Sequence, residues 1–198
     1  MIFFGASGHA KVVLEAWVAS GGSVSKILDD NRSIKELSGF PVSADYNTGD
    51  FRDQRMIISI GSNILRKQVA ERLPAKYTSV IHPSAQVSSS SRIGIGTVLM
   101  AGVVVNADAI IGNHVIANTG CVVEHGCVIG HFAHLSPNST LCGNVRVGEG
   151  THIGAGATII QGINIGQWAT IGAGSVIIED VPDYAVVVGV PGRIIKKK

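Results

Sequence analysis

Aromatic residues are scarce in this chain of 198 residues. Phe, Trp and Tyr together make up 5% of it, although apolar residues make up 45%. The core must therefore consist of Val, Ile, Leu and Ala, which suits narrow coils of short strands. No apolar run approaches the roughly 18 residues of a membrane-spanning helix. No basic leader or cleavage site precedes the first apolar strand, so we expect neither a membrane segment nor a signal peptide.

Charge and cysteine are also sparse. The formal net charge of +2 is too small to indicate a nucleic-acid-binding protein. The three cysteines are Cys121, Cys127 and Cys142, and all lie inside a regular repeat. We interpret them as small buried thiols rather than as a disulfide framework or a metal site. The sequence thus favours a cytoplasmic protein without a metal ion.

An aliphatic residue or alanine recurs every six positions along the second half of the chain. An α-helical face recurs every 3.6 residues and a strand face every two, so a strict period of six excludes both. It predicts a prism in which each six-residue unit forms one short strand and one corner: a left-handed parallel β-helix of hexapeptide repeats. The predicted inward-facing residues are Ile81, Val87, Ile93, Leu99, Val105, Ile111, Ala117, Val123, Ile129, Leu135, Leu141, Val147, Ile153, Ile159, Ile165, Ile171 and Ile177.

Glycine often follows the inward-facing residue directly, as at Gly94, Gly112, Gly130 and Gly148. We expect these glycines to give the corner a positive or otherwise unusual φ.

Residues 1–80 have a different pattern, which predicts a small α/β domain ahead of a β-helix domain at 81–198. Strands alternate with helices, and each strand ends in a glycine-rich or acidic turn. Because ligands of such sheets bind beyond the carboxyl ends of the strands, these turns predict a nucleotide or nucleotide-sugar site. A G-x-G-x-x-G fingerprint is absent, which argues against NAD. The turns could also simply close strand-helix corners. Their candidate residues are Ser7, Gly8, His9, Asp29, Asp30, Gly61 and Asn63.

The six-residue repeat is typical of acyltransferases that use acetyl-CoA or acyl carrier protein, and less often of β-solenoid scaffolds. Acyl transfer needs a base, and histidine titrates near neutrality. Among the histidines of the repeat, His125 stands out. It follows the inward-facing Val123 by two places, so it should leave a face of the prism, and Glu124 is adjacent. A surface histidine on a corner is the alternative.

Several stretches in both domains, in the same order, resemble the bacterial nucleotide-sugar N-acetyltransferases of the bacillosamine and perosamine pathways. The chain also resembles their sialic acid O-acetyltransferase relatives. The matching stretches are residues 5–9, 28–30, 60–63 with Arg66, 118–119 with 123–125, 142–145 and 189–191.

The resemblance implies a role for each matched position. His125 would be the general base, and His134 would contact the acetyl end of acetyl-CoA. The N-terminal turns, with Arg66 and Asn118, would hold the nucleotide-sugar acceptor. The coenzyme-lining residues would be Gly143, Ala155 and Ala173, with Pro191 and Arg193 from the basic C-terminal segment.

One position departs from the family pattern. Relatives carry Glu or Asp directly after the base histidine, whereas this chain has Gly126. Glu124, Asn118 or a neighbouring subunit would then have to orient His125. We expect Gly126→Glu to raise activity, or to shift the lower limb of the pH–rate profile to higher pH, by restoring the missing acid, unless Gly126 has a positive φ that glutamate would strain.

These observations together predict an acetyl-CoA-dependent N-acetyltransferase acting on the 4-amino group of a nucleotide-linked 4-amino-4,6-dideoxy sugar. The alternatives are a sugar or sialic acid O-acetyltransferase and a non-catalytic nucleotide-sugar-binding scaffold. We expect a homotrimer, because three-faced prisms can pack around a threefold axis and form clefts between them.

Overall fold

A computed structural model describes residues 1–197. The first part of the chain folds as a small α/β domain around a parallel sheet. Its elements are β1 (Ile2–Phe4), α1 (Gly8–Ala19), β2 (Lys26–Leu28), β3 (Glu36–Leu37), β4 (Phe40–Ser43), a 3-10 turn (Thr48–Phe51), β5 (Arg55–Ile58), α2 (Asn63–Arg72) and β6 (Lys76–Tyr77).

The strand order is β3-β4-β2-β1-β5-β6, which puts β1 between β2 and β5. All three run parallel, so their carboxyl ends lie at one edge of the sheet. This edge carries the turns at Gly5, Asp29 and Gly61, as the sequence predicts. The short β3–β4 hairpin, with its antiparallel Glu36–Pro41 and Leu37–Phe40 pairs, is an element that the sequence analysis does not anticipate.

The second part is a parallel β-helix with three faces, which confirms the predicted fold. Val98 pairs with Val80 and with Ile116, so each coil contains eighteen residues. Face 1 holds every third strand from β7 (Val80–Ile81), face 2 from β8 (Gln86–Val87), and face 3 from β9 (Arg92–Ile93). We place the domain boundary between Tyr77, in the first sheet, and Val80, in face 1.

The strands that continue the three faces have two residues each. They are Val98–Leu99, Val104–Val105, Ile110–Ile111, Ile116–Ala117, Val122–Val123, Val128–Ile129, His134–Leu135, Thr140–Leu141, Arg146–Val147, His152–Ile153, Thr158–Ile159, Asn164–Ile165, Thr170–Ile171 and Val176–Ile177. These are strands β10 to β23. Two longer strands, β24 (Ala185–Val188) and β25 (Arg193–Lys197), then extend face 1.

The predicted inward-facing residues form the stacked core of the β-helix. From Leu99 to Ile177 every one of them is buried. The first two, Ile81 and Val87, are 40% and 37% exposed, because they lie in the first coil and no coil stacks beneath them.

The prediction about corner glycines is wrong in its position. Glycines that directly follow the inward-facing residue have no positive φ; they are needed for space. A Cβ on Gly112 would lie 2.8 Å from the backbone nitrogen of His131 in the next coil. The positive φ occurs two places later, at the third position after the inward-facing residue. The glycines there are Gly96, Gly102, Gly120, Gly126, Gly150, Gly156, Gly162 and Gly174.

Large side chains also occupy this left-handed position, and most lie at one corner. The 3–1 corner, between faces 3 and 1, includes residues 112–115, 130–133, 148–151 and 166–169. It holds His114, Phe132 and Trp168 at φ 55°, 58° and 55°, and Tyr184 continues the row at 60°. A left-handed conformation costs roughly 1–2 kcal/mol for a residue with a Cβ. Four such residues at one corner mark a place where the fold retains strain, a common property of functional sites.

Among the described residues, no helix is both long enough and apolar enough to cross a membrane.

Candidate active site

Arg66 joins the two domains. Its side chain is 1% exposed and donates six hydrogen bonds. On the β-helix it reaches the carbonyl oxygens of His114 (2.8 Å), Phe132 (2.7 Å) and Ala133 (3.3 Å). Within its own domain it reaches the carbonyls of Ile60 and Gly61 and the Asn63 side chain. The resemblance suggests that Arg66 binds the acceptor; the structure uses its donors to hold α2 on the 3–1 corner.

We therefore expect Arg66→Met to destabilise the fold by about 3 kcal/mol or more, because it leaves several buried carbonyl groups without donors. Arg66→Lys should have a smaller effect, since lysine supplies fewer donors. Urea unfolding at fixed protein concentration measures both. The exposed Arg92→Met is the matched control and should unfold like the parent. Equal midpoints for Arg66→Met and Arg92→Met would contradict this role.

A cavity of about 660 Å³ lies where the α/β domain meets face 1. Asn63 closes one side, because its amide donates to the Gly150 carbonyl at 2.9 Å. The predicted site residues His9, Gly61, Asn63 and His134 thus come together here. The full lining is His9, Gly61, Ser62, Asn63, Ile64, His134, Gly150, His152, Trp168, Thr170 and Tyr184.

Three histidines contribute to the polar lining of this cavity. The ring centroids of His9 and His134 are 6.1 Å apart, and those of His134 and His152 are 4.9 Å apart. Asn118 Nδ2 lies 3.3 Å from His134 Nε2, and Ser136 Oγ lies 3.2 Å from His152 Nε2. His9 Nε2 is buried without a hydrogen-bond partner, whereas the backbone of Gly61 hydrogen-bonds to the His134 ring. Burial lowers the pKa of His9 to about 4 and that of His134 to about 3. Both rings are therefore neutral at physiological pH.

Acid should destabilise this fold. Burial also lowers the pKa of His114 to about 4. Below pH 6.5 these histidines become protonated in the unfolded chain but stay neutral in the folded protein. Their effect on the free energy of unfolding is therefore absent above pH 6.5, and that free energy falls as the pH drops towards 4. Each fully buried histidine then removes up to about 2 kcal/mol by pH 5. Thermal unfolding should show a melting temperature several degrees lower at pH 5 than at pH 7.

The variant His114→Phe should make that decline shallower, because it removes one of the three titrating groups. Phenylalanine suits the position, since Phe132 has the same φ one coil later. A melting temperature that stays flat from pH 7 to pH 5 in the parent protein would contradict the burial argument.

The predicted nucleotide edge lies beside this cavity. Ser7 and Gly8 are exposed at the start of α1, whose first turn has no acidic residue, so its amide groups favour an anion. Asp29 organises the turn: its carboxylate accepts from the backbone N–H groups of Ala6 (2.7 Å) and Asn31 (2.8 Å). Asp30 is exposed and accepts from Tyr46 and from Arg72. Both acids therefore already hold protein donors at this edge.

His125 lies at a different place, on the 2–3 corner, which includes residues 124–127 and 142–145. Its ring covers Gly143 of the next coil: a Cβ there would lie 2.6 Å from both Cε1 and Nε2 of His125. Only glycine leaves room for the ring. Glu124 accepts from the backbone N–H of His125 at 3.2 Å and from Asn106 at 2.8 Å. Glu124 therefore fixes the backbone of His125, and no residue between 1 and 197 hydrogen-bonds to its ring.

Gly126 cannot accept the acid that relatives carry without strain. Its φ is +66°, and a Cβ there would collide with Oδ1 of Asn144. Gly126→Glu would therefore raise activity only if Asn144 moved and the protein tolerated a strained backbone at this position.

The remaining predicted residues lie on other edges. Ala155 and Ala173 are exposed at equivalent positions of the 1–2 corner, which also carries Asn118. Pro191 lies in the connection from β24 to β25, and Arg193 begins β25. Within one chain, His125 and Gly143 are thus on the corner opposite face 1. His9 and His134 line the cavity on face 1 itself. A single chain does not bring His125 and this cavity together.

The sequence analysis misses two cavity residues, Trp168 and Tyr184, and gives no role to His152. The signal was present: Trp168 follows Ile165 by three places and Tyr184 follows Val181 by three. The period places both on the corner that carries His114 and Phe132.

An α/β domain joined to a hexapeptide β-helix defines a class, the hexapeptide acyltransferases. The PglD N-terminal domain matches residues 1–73, and the bacterial transferase hexapeptide family (six repeats) matches residues 144–179. Perosamine N-acetyltransferase from Caulobacter crescentus is 39% identical, with a TM-score of 0.94. The alignment covers 99% of this chain and 96% of that one, and a histidine variant of it was solved with CoA and GDP-perosamine.

Two further relatives are also acetyltransferases. The acetyltransferase domain of PglB from Neisseria gonorrhoeae FA1090, solved with acetyl coenzyme A, is 37% identical with a TM-score of 0.88, and 98% of each chain is covered. UDP-N-acetylbacillosamine N-acetyltransferase from Bacillus subtilis (strain 168) is 44% identical over 106 residues. That match spans 49% of each chain, so about half the length of this relative. The chain belongs to the nucleotide-sugar N-acetyltransferase family, and the predicted enzyme class, an acetyltransferase, is confirmed.

Proposed function

We propose that this protein transfers the acetyl group of acetyl-CoA to the 4-amino group of a nucleotide-linked 4-amino-4,6-dideoxy sugar. The observation that carries the proposal is the full-length similarity to a relative that was solved with both CoA and GDP-perosamine. The cavity supports it, because it adjoins the strand ends where a nucleotide would bind.

The chemistry needs a base, an oxyanion donor and a leaving group. The sugar amine attacks the thioester carbon, His125 accepts the amine proton, and the C–S bond breaks to release CoA thiolate. The backbone N–H of Gly143, a residue that packs against the His125 ring, would stabilise the oxyanion. No covalent enzyme intermediate is required.

The separation of His125 from the cavity supports a homotrimer. The core of the prism lies between the 2–3 corner and face 1, so a sugar in the cavity of one protomer cannot reach that protomer's own His125. In a threefold assembly the 2–3 corner of one protomer can meet face 1 of the next. The second protomer would then also supply the contacts that orient the His125 ring.

Acetyl-CoA would lie in the same cleft between prisms. Ala155 and Ala173 have small exposed side chains next to Gly156 and Gly174, which lets an extended coenzyme approach the 1–2 corner. Arg193 at the exposed end would attract its phosphate groups.

The direct test is a substrate panel. Purified protein is incubated with acetyl-CoA and either GDP-perosamine, UDP-N-acetylbacillosamine or the matching 4-hydroxy nucleotide sugars, and the free thiol is followed. We expect thiol release with one of the amino sugars and only background with the 4-hydroxy compounds. Faster release with a 4-hydroxy sugar would identify an O-acetyltransferase instead, and background with every acceptor would contradict the proposal.

A further inference from the structure

We infer that Trp168, with Tyr184 above it, forms an aromatic wall that binds the sugar ring of the acceptor and so determines which sugars are acetylated. The inference rests on the proposed function and adds a specificity-determining residue to it.

The first argument is the strained backbone of the wall. Trp168 and Tyr184 have φ of 55° and 60°, in a conformation that bulky side chains rarely adopt. At the same corner, His114 and Phe132 stack with centroids 5.1 Å apart, and Tyr77 packs on His114 at 4.6 Å. Those two rings have protein partners that explain them. Trp168 and Tyr184 line the cavity instead, and Tyr184 is 43% exposed.

The second argument is that Gly150 interrupts the aromatic row. A Cβ on Gly150 would collide with three atoms of the indole of Trp168, so the ring lies flat on this glycine. The Nζ of Lys67 lies 5.6 Å from the indole centroid and also pairs with Glu149. These contacts hold the indole in one orientation at the border of the cavity, which is preorganisation for a ligand.

The third argument is the chemistry that faces this wall. His9 Nε2 is buried in the same cavity without a hydrogen-bond partner, and the His134 ring lies beside it. A sugar ring offers both matching features: an apolar C–H face for an aromatic surface and hydroxyl groups for uncharged imidazoles. No Lys or Arg is among the described residues that line the cavity, and the nearby cations Arg66 and Lys67 are held by carbonyl groups and by Glu149 respectively.

The fourth argument is continuity with the nucleotide edge. His9 belongs to the first turn of α1, and Gly61 follows β5, so both lie at the carboxyl ends of the central strands. A nucleotide held at this edge would direct its attached sugar into the cavity. The uncharged imidazoles beside the cavity supply no negative charge that would favour an ammonium, and the uncharged amine is the nucleophilic form.

Fluorescence offers a direct test, because the chain contains only two tryptophans, Trp17 and Trp168. Trp17 lies near the end of α1 and does not line the cavity; its Nε1 donates to the Ser23 carbonyl at 2.9 Å. The variant Trp17→Phe therefore leaves Trp168 as the single reporter. It is titrated with GDP-perosamine, UDP-N-acetylbacillosamine, GDP, UDP and CoA.

We expect a saturable change with the nucleotide sugar that the enzyme acetylates, and a much smaller one with the free nucleotide or CoA. An equal change with CoA would assign the cavity to the coenzyme and overturn the inference. No change with a nucleotide sugar that this variant demonstrably acetylates would also overturn it, while the proposed function would stand. If no amino sugar is acetylated, the proposed function itself fails.

Kinetics supply the second measurement. Trp168→Ala should raise the acceptor KM roughly tenfold, the scale of one aromatic contact, and leave the acetyl-CoA KM within about twofold. Trp168→Phe keeps an aromatic face and should lie between Trp168→Ala and the parent. An equal rise of both KM values, or an unchanged acceptor KM, would show that Trp168 only supports the fold.

Discussion

Replacing His125 by alanine lowers kcat by a hundred-fold or more in our account, with little change in the KM of the acceptor. The reason is that a general base contributes about 10²- to 10⁴-fold, and it acts only on the proton that moves in the transition state. The position supports this role, because the ring lies over Gly143 and is exposed at the 2–3 corner. Steady-state thiol release with saturating acetyl-CoA measures the effect.

Two controls make this result specific. His82→Ala removes another corner histidine, whose ring Nδ1 contacts Ser84 in the first coil, and should leave kcat unchanged. His125→Asn keeps a polar side chain of similar reach but no base, and should be as slow as His125→Ala. Turnover within a few-fold of the parent for either His125 variant would remove it from the mechanism and direct attention to His134 or His9.

Much of the fold follows from the period of the sequence. Six-residue spacing alone places Leu99 to Ile177 in one stacked core, and the α/β pattern places Gly5, Asp29 and Gly61 at one sheet edge. The same six-residue spacing also indicates which corner residues have a positive φ, which the aliphatic positions alone do not reveal. The third position after each inward-facing residue adopts a positive φ, and reading that register would have put Trp168 and Tyr184 on the corner of His114.

The site is less readable from sequence, because three-dimensional separation is not encoded locally. His125 and His134 are nine residues apart in the sequence, yet one strand (Val128–Ile129) and one corner separate them. His125 therefore lies on the 2–3 corner and His134 on face 1. Arg66 is a second example. The sequence places this cation beside a predicted ligand-binding turn, but in the structure it donates its hydrogen bonds to carbonyl groups of the other domain. Only the three-dimensional structure shows which hydrogen-bond donors are free to bind a ligand and which ones hold the fold together.

The central claim is that one active site takes its base from one protomer and its acceptor cavity from another. Two variants separate these contributions. His125→Ala removes the base but keeps the cavity, whereas the double variant His9→Ala/His134→Ala strips the cavity of two imidazoles but keeps the base. The two chains, with different affinity tags, are co-expressed and the mixed oligomers are purified through both tags.

Each competent interface needs the base of one variant and the cavity of the other, and a trimer that contains both variants has one such interface among its three, so about a third of the interfaces should recover. Thiol release by the mixed oligomers is therefore the deciding measurement, with each variant alone as the baseline. We predict a rate near a third of the parent rate. Mixed oligomers no more active than the two variants measured separately, or a parent enzyme that sediments as an active monomer, would contradict the account.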